Sequence, residues 1–131
     1  MMNVIICVDD EPSILLALQQ QMIRAFANEF AIEIAENSES AIELVQYFLE
    51  NDYRIATVVT DEMMPGMRGH QLINEIAKLS PDTHYVLLTG YIDTETIAGV
   101  KSNPKIICLS KPWEYDELVR TIRERSGPMS T

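Results

Sequence analysis

The chain has 131 residues, 47% hydrophobic and 23% charged, and its 20 Asp plus Glu against 10 Lys plus Arg leave a formal net charge of -10. This is the composition of one globular domain able to bury roughly two thirds of its unfolded surface without metal or disulfide staples, which excludes disordered, collagen-like and mucin-like chains. The negative balance repels phosphate backbones and anionic bilayers, so neither direct nucleic-acid binding nor a membrane partner is expected.

The first apolar run, 4–8, is β-branched and unbroken, as in a strand covered on both faces, and it ends in Asp9, Asp10 and Glu11. Cys7 inside it, like Cys108 later, reads as a small buried hydrophobe of a reducing, cytoplasmic protein rather than half of a disulfide. Pro12 opens a helix over 12–27, with Ile14, Leu15, Leu18, Met22, Ile23 and Phe26 at three- and four-residue spacing. The run 30–35 alternates around Glu33 and suits an edge strand. Asn37 and Ser38 are good N-cap types ahead of a helix over 38–49, which places Ile42, Val45 and Leu49 on one face.

The strand predicted at 55–59 leads through Thr60 to Asp61, and Pro65-Gly66 marks a turn before a helix over 69–79. A strand at 85–88 is followed by Thr89. The helix at 93–101 is the weakest, being short, anchored only by Ile97 and Val100, and interrupted by Gly99. A strand at 106–109 leads to Lys111. The last helix, 114–125, carries Leu118, Val119 and Ile122, with Asp116 and Arg120 spaced to pair on its solvated side. One domain over 1–125 and a flexible tail or linker stub over 126–131 are expected. No run approaches the ~18 apolar residues of a membrane span, and no export signal is visible.

Strands alternating with helices predict an α/β fold: a doubly wound, flavodoxin-like parallel sheet of five strands with helices on both faces. In that architecture all strand C-termini open onto one edge, where ligands bind. The edge would collect Asp9, Asp10, Asp61, Thr89 and Lys111. Three carboxylates brought together repel, so they take up protons or share a cation, and an all-oxygen ligand set suits Mg2+. Mg2+ and the Lys111 ammonium can neutralise a transferring phosphoryl group while Thr89 donates to one of its oxygens. Asp61, projecting from a rigid strand end, can attack phosphorus in line.

The sequence resembles the receiver domains of two-component response regulators over about residues 4–125. The likeness rests on Val8-Asp9-Asp10-Glu11, the acceptor motif running from Asp61 through Met63, Met64, Pro65, Gly66 and Met67 to Gly69, the Leu88-Thr89-Gly90 step, and Ser110-Lys111-Pro112-Trp113, in that order. It implies the CheY-like strand order 2-1-3-4-5. It also implies that Asp61 accepts a phosphoryl group from a phosphohistidine on a sensor histidine kinase or phosphotransfer protein, or from a small phosphodonor. Mg2+, or Mn2+, would be ligated by Asp61, by Asp10 directly, by Asp9 largely through water, and by the Met63 carbonyl. Lys111 would pair with Asp61, the Lys111-Pro112 bond would be cis, and Thr89 would move toward the phosphoryl oxygen as the switch.

The same resemblance implies a signalling domain rather than an enzyme, one that catalyses only its own phosphorylation and slow autodephosphorylation. Met63 and Tyr91 would flank the water path and lengthen the lifetime of the aspartyl phosphate modestly. Output would pass through the last two helices and final strand to an effector domain or a downstream protein, from a monomer or weak homodimer.

The family usually places Tyr or Phe three residues before the lysine, where this chain has Cys108. A thiol cannot sweep the volume of a ring, so signalling is expected to rest on the weak segment 93–101, with Tyr91 taking part of the aromatic role. Met64 should pack beneath the acceptor loop and Trp113 should anchor the last helix. His70 and His84 lack ligand spacing and read as surface or strand-edge residues. The hard-oxygen surroundings argue against a soft-metal site at Met63, Met64 and Met67.

Three other functions fit the residues less well. A haloacid-dehalogenase-like Mg2+-dependent phosphohydrolase wants a second Asp where Met63 stands. A flavin mononucleotide carrier would have its phosphate repelled by Asp9-Asp10-Glu11. A receiver-like binding module without phosphorylation would have no need of the intact acidic pair, Asp61, Thr89 and Lys111.

Overall fold

Apolar runs and amphipathic runs alternate along the chain, and in the computed structural model, which describes residues 2–126, each forms its own strand or helix. In order these are β1 (Met2–Val8), α1 (Pro12–Phe26), β2 (Ala31–Ala35), α2 (Ser38–Glu50), β3 (Tyr53–Asp61), α3 (Gly69–Leu79), β4 (His84–Thr89), α4 (Thr94–Lys101), β5 (Ile106–Ser110) and α5 (Tyr115–Ser126). The strands are all parallel, in the order β2-β1-β3-β4-β5, so the expected fold and its strand order both hold. The alternating run indeed lies at an edge. Asn37 caps α2 by accepting from the Ser40 N–H at 2.8 Å.

Side chains alternate across the sheet and build two cores. Val4, Ile6, Val8, Ile55, Val58 and Leu87 pack under α2 and α3, whereas Ile5, Cys7, Val59, Val86 and Leu88 pack under α1 and α5. The phase of β3 is set by a bulge: Val4 pairs with Ile55 but Ile5 pairs with Thr57, which leaves Ala56 as the extra residue. From there to the end of β3 the alternation is regular, so consecutive residues face opposite layers.

The expected solvent pair on α5 is replaced: Arg120 lies 3.9 Å from Glu124, one turn further on, rather than against Asp116. Ile23, expected in the core, is largely exposed. The α5 helix runs to Ser126, the first residue of the expected tail, whose remainder, 127–131, lies outside the described residues. No helix among the described residues is long and apolar enough to cross a membrane.

Candidate functional site

The turn after β1 begins with Asp9, whose backbone N–H donates to the Ala35 carbonyl and whose Oδ1 accepts from the Glu11 N–H at 2.9 Å. Both bonds hold the buried carboxylate still before Pro12 opens α1. Asp61 is the last residue of β3 rather than the residue past it, and Thr89 likewise closes β4. Folding brings Asp9, Asp10 and Asp61 together, with one ligand atom from each lying within 4.8 Å of the others. Lys111, just past β5, places its Nζ 3.1 Å from Asp9 Oδ2 and 3.1 Å from Asp61 Oδ1, and the Lys111-Pro112 bond is cis.

Burial works against the Lys111 charge, but hydrogen bonds and attraction from Asp61 and Asp9 outweigh it and hold its pKa above the ordinary lysine value. Burial also raises the pKa of Asp61, against the pull of Lys111, with the nearby Asp9 charge adding to the rise and a backbone hydrogen bond from Met63 opposing it. Three carboxylates facing one ammonium leave two negative charges uncompensated. The pocket therefore suits a hard divalent cation, both in charge and in its oxygen donors.

The remaining expected residues fall as follows. Met63 sits at the rim, half-exposed, with its N–H on the Asp61 carboxylate. Met64 is buried beneath the loop, and Gly66 takes the turn at φ 79°. A Cβ at Gly69 would stand 2.2 Å from the Asp61 carbonyl oxygen, so only glycine lets the loop close against the strand end. The Thr89 hydroxyl does not point to Asp61; it donates to the Tyr91 carbonyl at 2.7 Å and accepts from the Tyr91 N–H at 3.1 Å. The Tyr91 side chain stands in solvent and does not fill the place of the missing aromatic. Trp113 packs with the α1 and α5 core and donates to Gln21 at 2.7 Å.

His70 departs from its expected surface position, being buried at 7% exposure within a polar cluster centred on Glu62. The fully buried Glu62 carboxylate accepts from the His70 backbone N–H at 2.9 Å, Arg68 Nη2 at 2.9 Å and Thr96 Oγ1 at 2.6 Å, with His70 Nδ1 at 2.7 Å. Burial opposes the Glu62 charge, yet hydrogen bonds from Thr96 and His70 outweigh it and keep its pKa below the usual carboxylate value. One signal for this cluster was present in the sequence. An acid directly after the pocket-facing Asp61 must, by strand alternation, turn into the apolar layer and find partners there.

Residues 5–123 match the family described as the response regulator receiver domain. The chain belongs to this family. This receiver domain is similar to the hydrogenase transcriptional regulatory protein HoxA of Bradyrhizobium diazoefficiens, at 28% identity over 92% of this chain but only 23% of HoxA. It thus spans about a quarter of that relative's length. The signal receiver domain of an HD domain-containing protein from Pseudomonas fluorescens Pf-5 superposes with a TM-score of 0.79 at 28% identity, covering 95% of this chain and 94% of that one. Chemotaxis protein CheY4 of Vibrio cholerae, at 22% identity and TM-score 0.78 over 95% of this chain and 98% of its own, shares the fold. Two-component signalling is accordingly the setting of this domain.

Proposed function

We propose that this receiver domain signals by accepting a phosphoryl group on Asp61 from a phosphohistidine of a sensor histidine kinase or phosphotransfer protein. The observation that carries the reading is the Lys111 ammonium held 3.1 Å from both Asp9 and Asp61 beside a third carboxylate. Asp9, Asp10, Asp61 and the Met63 carbonyl would hold Mg2+, or Mn2+ in its place. The bound ion would supply neutralisation of the phosphoryl oxygens and so let an anionic donor approach an acidic pocket.

The chain's own groups do the rest. Asp61 is mounted on the end of a strand paired on both sides, which fixes the direction of attack. A P–O bond forms to its carboxylate as the P–N bond to the donor imidazole breaks. Lys111, strongly held in its charged form, offsets the charge developing on the transferred group. The Thr89 hydroxyl then exchanges Tyr91 for a phosphoryl oxygen, and that exchange is the switch. Met63 and Tyr91, both exposed, lengthen the lifetime of the aspartyl phosphate only modestly, and autodephosphorylation is slow as in the family. On this reading residues 1–125 are the signalling unit, and a linked effector domain or a separate cytoplasmic protein takes the output.

Incubation with acetyl phosphate and Mg2+, followed by intact mass, tests this. One added, alkali-labile phosphoryl group is expected, lost in Asp61→Asn. Steady phosphate release without a covalent species would favour a hydrolase. No labelling, with kinase also supplied, would favour a binding module that has lost the chemistry.

A further inference from the structure

The regular alternation at the end of β3 sends Asp61 to the carboxylate pocket and the next residue, Glu62, to the opposite layer, beneath α3 and α4. Its carboxylate there gathers groups from two other segments, 68–70 and 93–96. Arg68 Nη2 bonds Glu62 and also reaches Asp93 at 3.1 Å and Thr96 Oγ1 at 2.9 Å, while Arg68 Nη1 lies 3.4 Å from Glu95. His70 Nε2 lies 3.1 Å from Glu95. Asp93 is the N-cap of α4, accepting from the Thr96 N–H at 2.9 Å. Asp93, Glu95 and Thr96 at the start of α4 are therefore tied, directly or through Arg68 and His70, to the residue that follows Asp61.

Two facts make these ties more than a surface ion pair. Thr96 is the only fully buried residue of α4, and Val100 packs against the core only partly buried, so polar contacts carry much of the docking of this helix. Protons and acceptors are also mismatched within the cluster: Arg68 Nη2 has two hydrogens for oxygens of Glu62, Asp93 and Thr96, while Arg68 Nε is buried without a partner among the described residues. A network with a spare donor and competing acceptors has a second arrangement close at hand.

The other tether of this region is Thr89, whose hydroxyl grips the Tyr91 backbone two residues before Asp93. The strand ends carrying the two tethers are joined, since the Glu62 N–H donates to the Leu88 carbonyl at 3.1 Å. Cys108 stands near the cluster, where burial first and then the Glu62 charge disfavour its thiolate, and it offers no ring to transmit the motion.

We infer that Glu62, Arg68 and Thr96 form the clamp through which the state of Asp61 sets the docking of α4, with Arg68 and Thr96 as positioning residues. This rests on the phosphoacceptor reading of Asp61. Coupling is reciprocal: if occupancy of Asp61 loosens the clamp, a loosened clamp must favour occupancy of Asp61 by the same factor.

The test is Thr96→Val, nearly isosteric but without the hydroxyl, with Arg68→Met as a second break and Thr96→Ser as the restoring variant. Amide exchange of 94–101 is followed with and without beryllofluoride and Mg2+, and beryllofluoride affinity is measured by calorimetry. In Thr96→Val, α4 exchange is expected to rise about tenfold, the cost of one hydrogen bond to a charged group. Beryllofluoride should then accelerate it little further and should bind more tightly by a similar factor, with Thr96→Ser returning both to wild type. Equal acceleration with and without beryllofluoride at unchanged affinity, in either breaking variant, would reduce the clamp to a brace and overturn the proposal. Should the wild-type protein bind no beryllofluoride and take no label from acetyl phosphate, the phosphoacceptor reading itself falls, and the clamp's role with it.

Discussion

Lys111 stands between two carboxylates, and its single charge cannot balance three acids. In the absence of a cation the pocket is therefore a point where the native state works against itself, and removing one charge should stabilise it. Asp10→Asn is expected to raise the melting temperature of the metal-free protein by about 4 °C, equivalent to about 1 kcal/mol for a domain of this size. On the proposed reading Mg2+ binds only the folded form and so stabilises the wild type, and the same variant should lose that gain. Thermal scans in chelator and in Mg2+ read both effects. A metal-free variant that melts no higher would mean that Lys111 already relieves the repulsion. The pocket residues were legible in the sequence because each stands at the end of an apolar run, and a parallel sheet carries all such ends to one edge.

Among the helices whose burial is described, α4 is short and has a polar residue, Thr96, as its buried one. The apolar spacing at 93–101 marks the helix as poorly anchored, and it is; what the spacing conceals is Gly99. A Cβ there would lie 2.8 Å from the His70 ring, so the glycine that weakens the helix is what lets it dock. Ala is favoured over Gly by about 1 kcal/mol in a helix interior, yet Gly99→Ala is expected to lower stability in urea unfolding and speed exchange in α4. A stabilised variant would show that the His70 ring yields freely.

The N-cap adds a pH test. Hydrogen bonds from the Thr96 backbone and side chain, with Arg68 adding to them, pull the Asp93 pKa down to about 2. Its folded-state value lies below the unfolded value of roughly 3.9, so the cap stabilises α4 above that pH and is lost as pH falls through about 2. An NMR titration of the Asp93 carboxyl with a midpoint near the unfolded value would show the cap unmade. The clamp itself was hidden because its members come from three segments, 62, 68–70 and 93–96, each ordinary in its own neighbourhood. The orientation of Thr89 and the exposure of Tyr91 were hidden for a related reason: both follow from how a loop closes, which periodicity does not record.

At the scale of the molecule, the two cysteines report on different depths of the same sheet. Cys7 lies in a central strand with no exposure, and burial pushes its thiol up to about 12; Cys108, on the edge strand β5, is only half-buried, with its pKa raised less. In the native protein a thiol reagent should modify Cys108 through local opening and Cys7 no faster than global unfolding. Mass-resolved labelling across urea concentration checks the order, and early Cys7 modification would mean that the centre of the sheet opens piecemeal. Topology and strand order were readable because unbroken β-branched runs can only be covered on both faces, which leaves few arrangements open.

On the phosphoacceptor reading, the group that receives the signal is mounted on β3, paired on both sides, whereas α4 is held largely by polar bonds around one buried acid. Warming should erode the second before the first. A heated population would go on recording incoming signals after it had lost the means to pass them on, so input and output fail at separate temperatures.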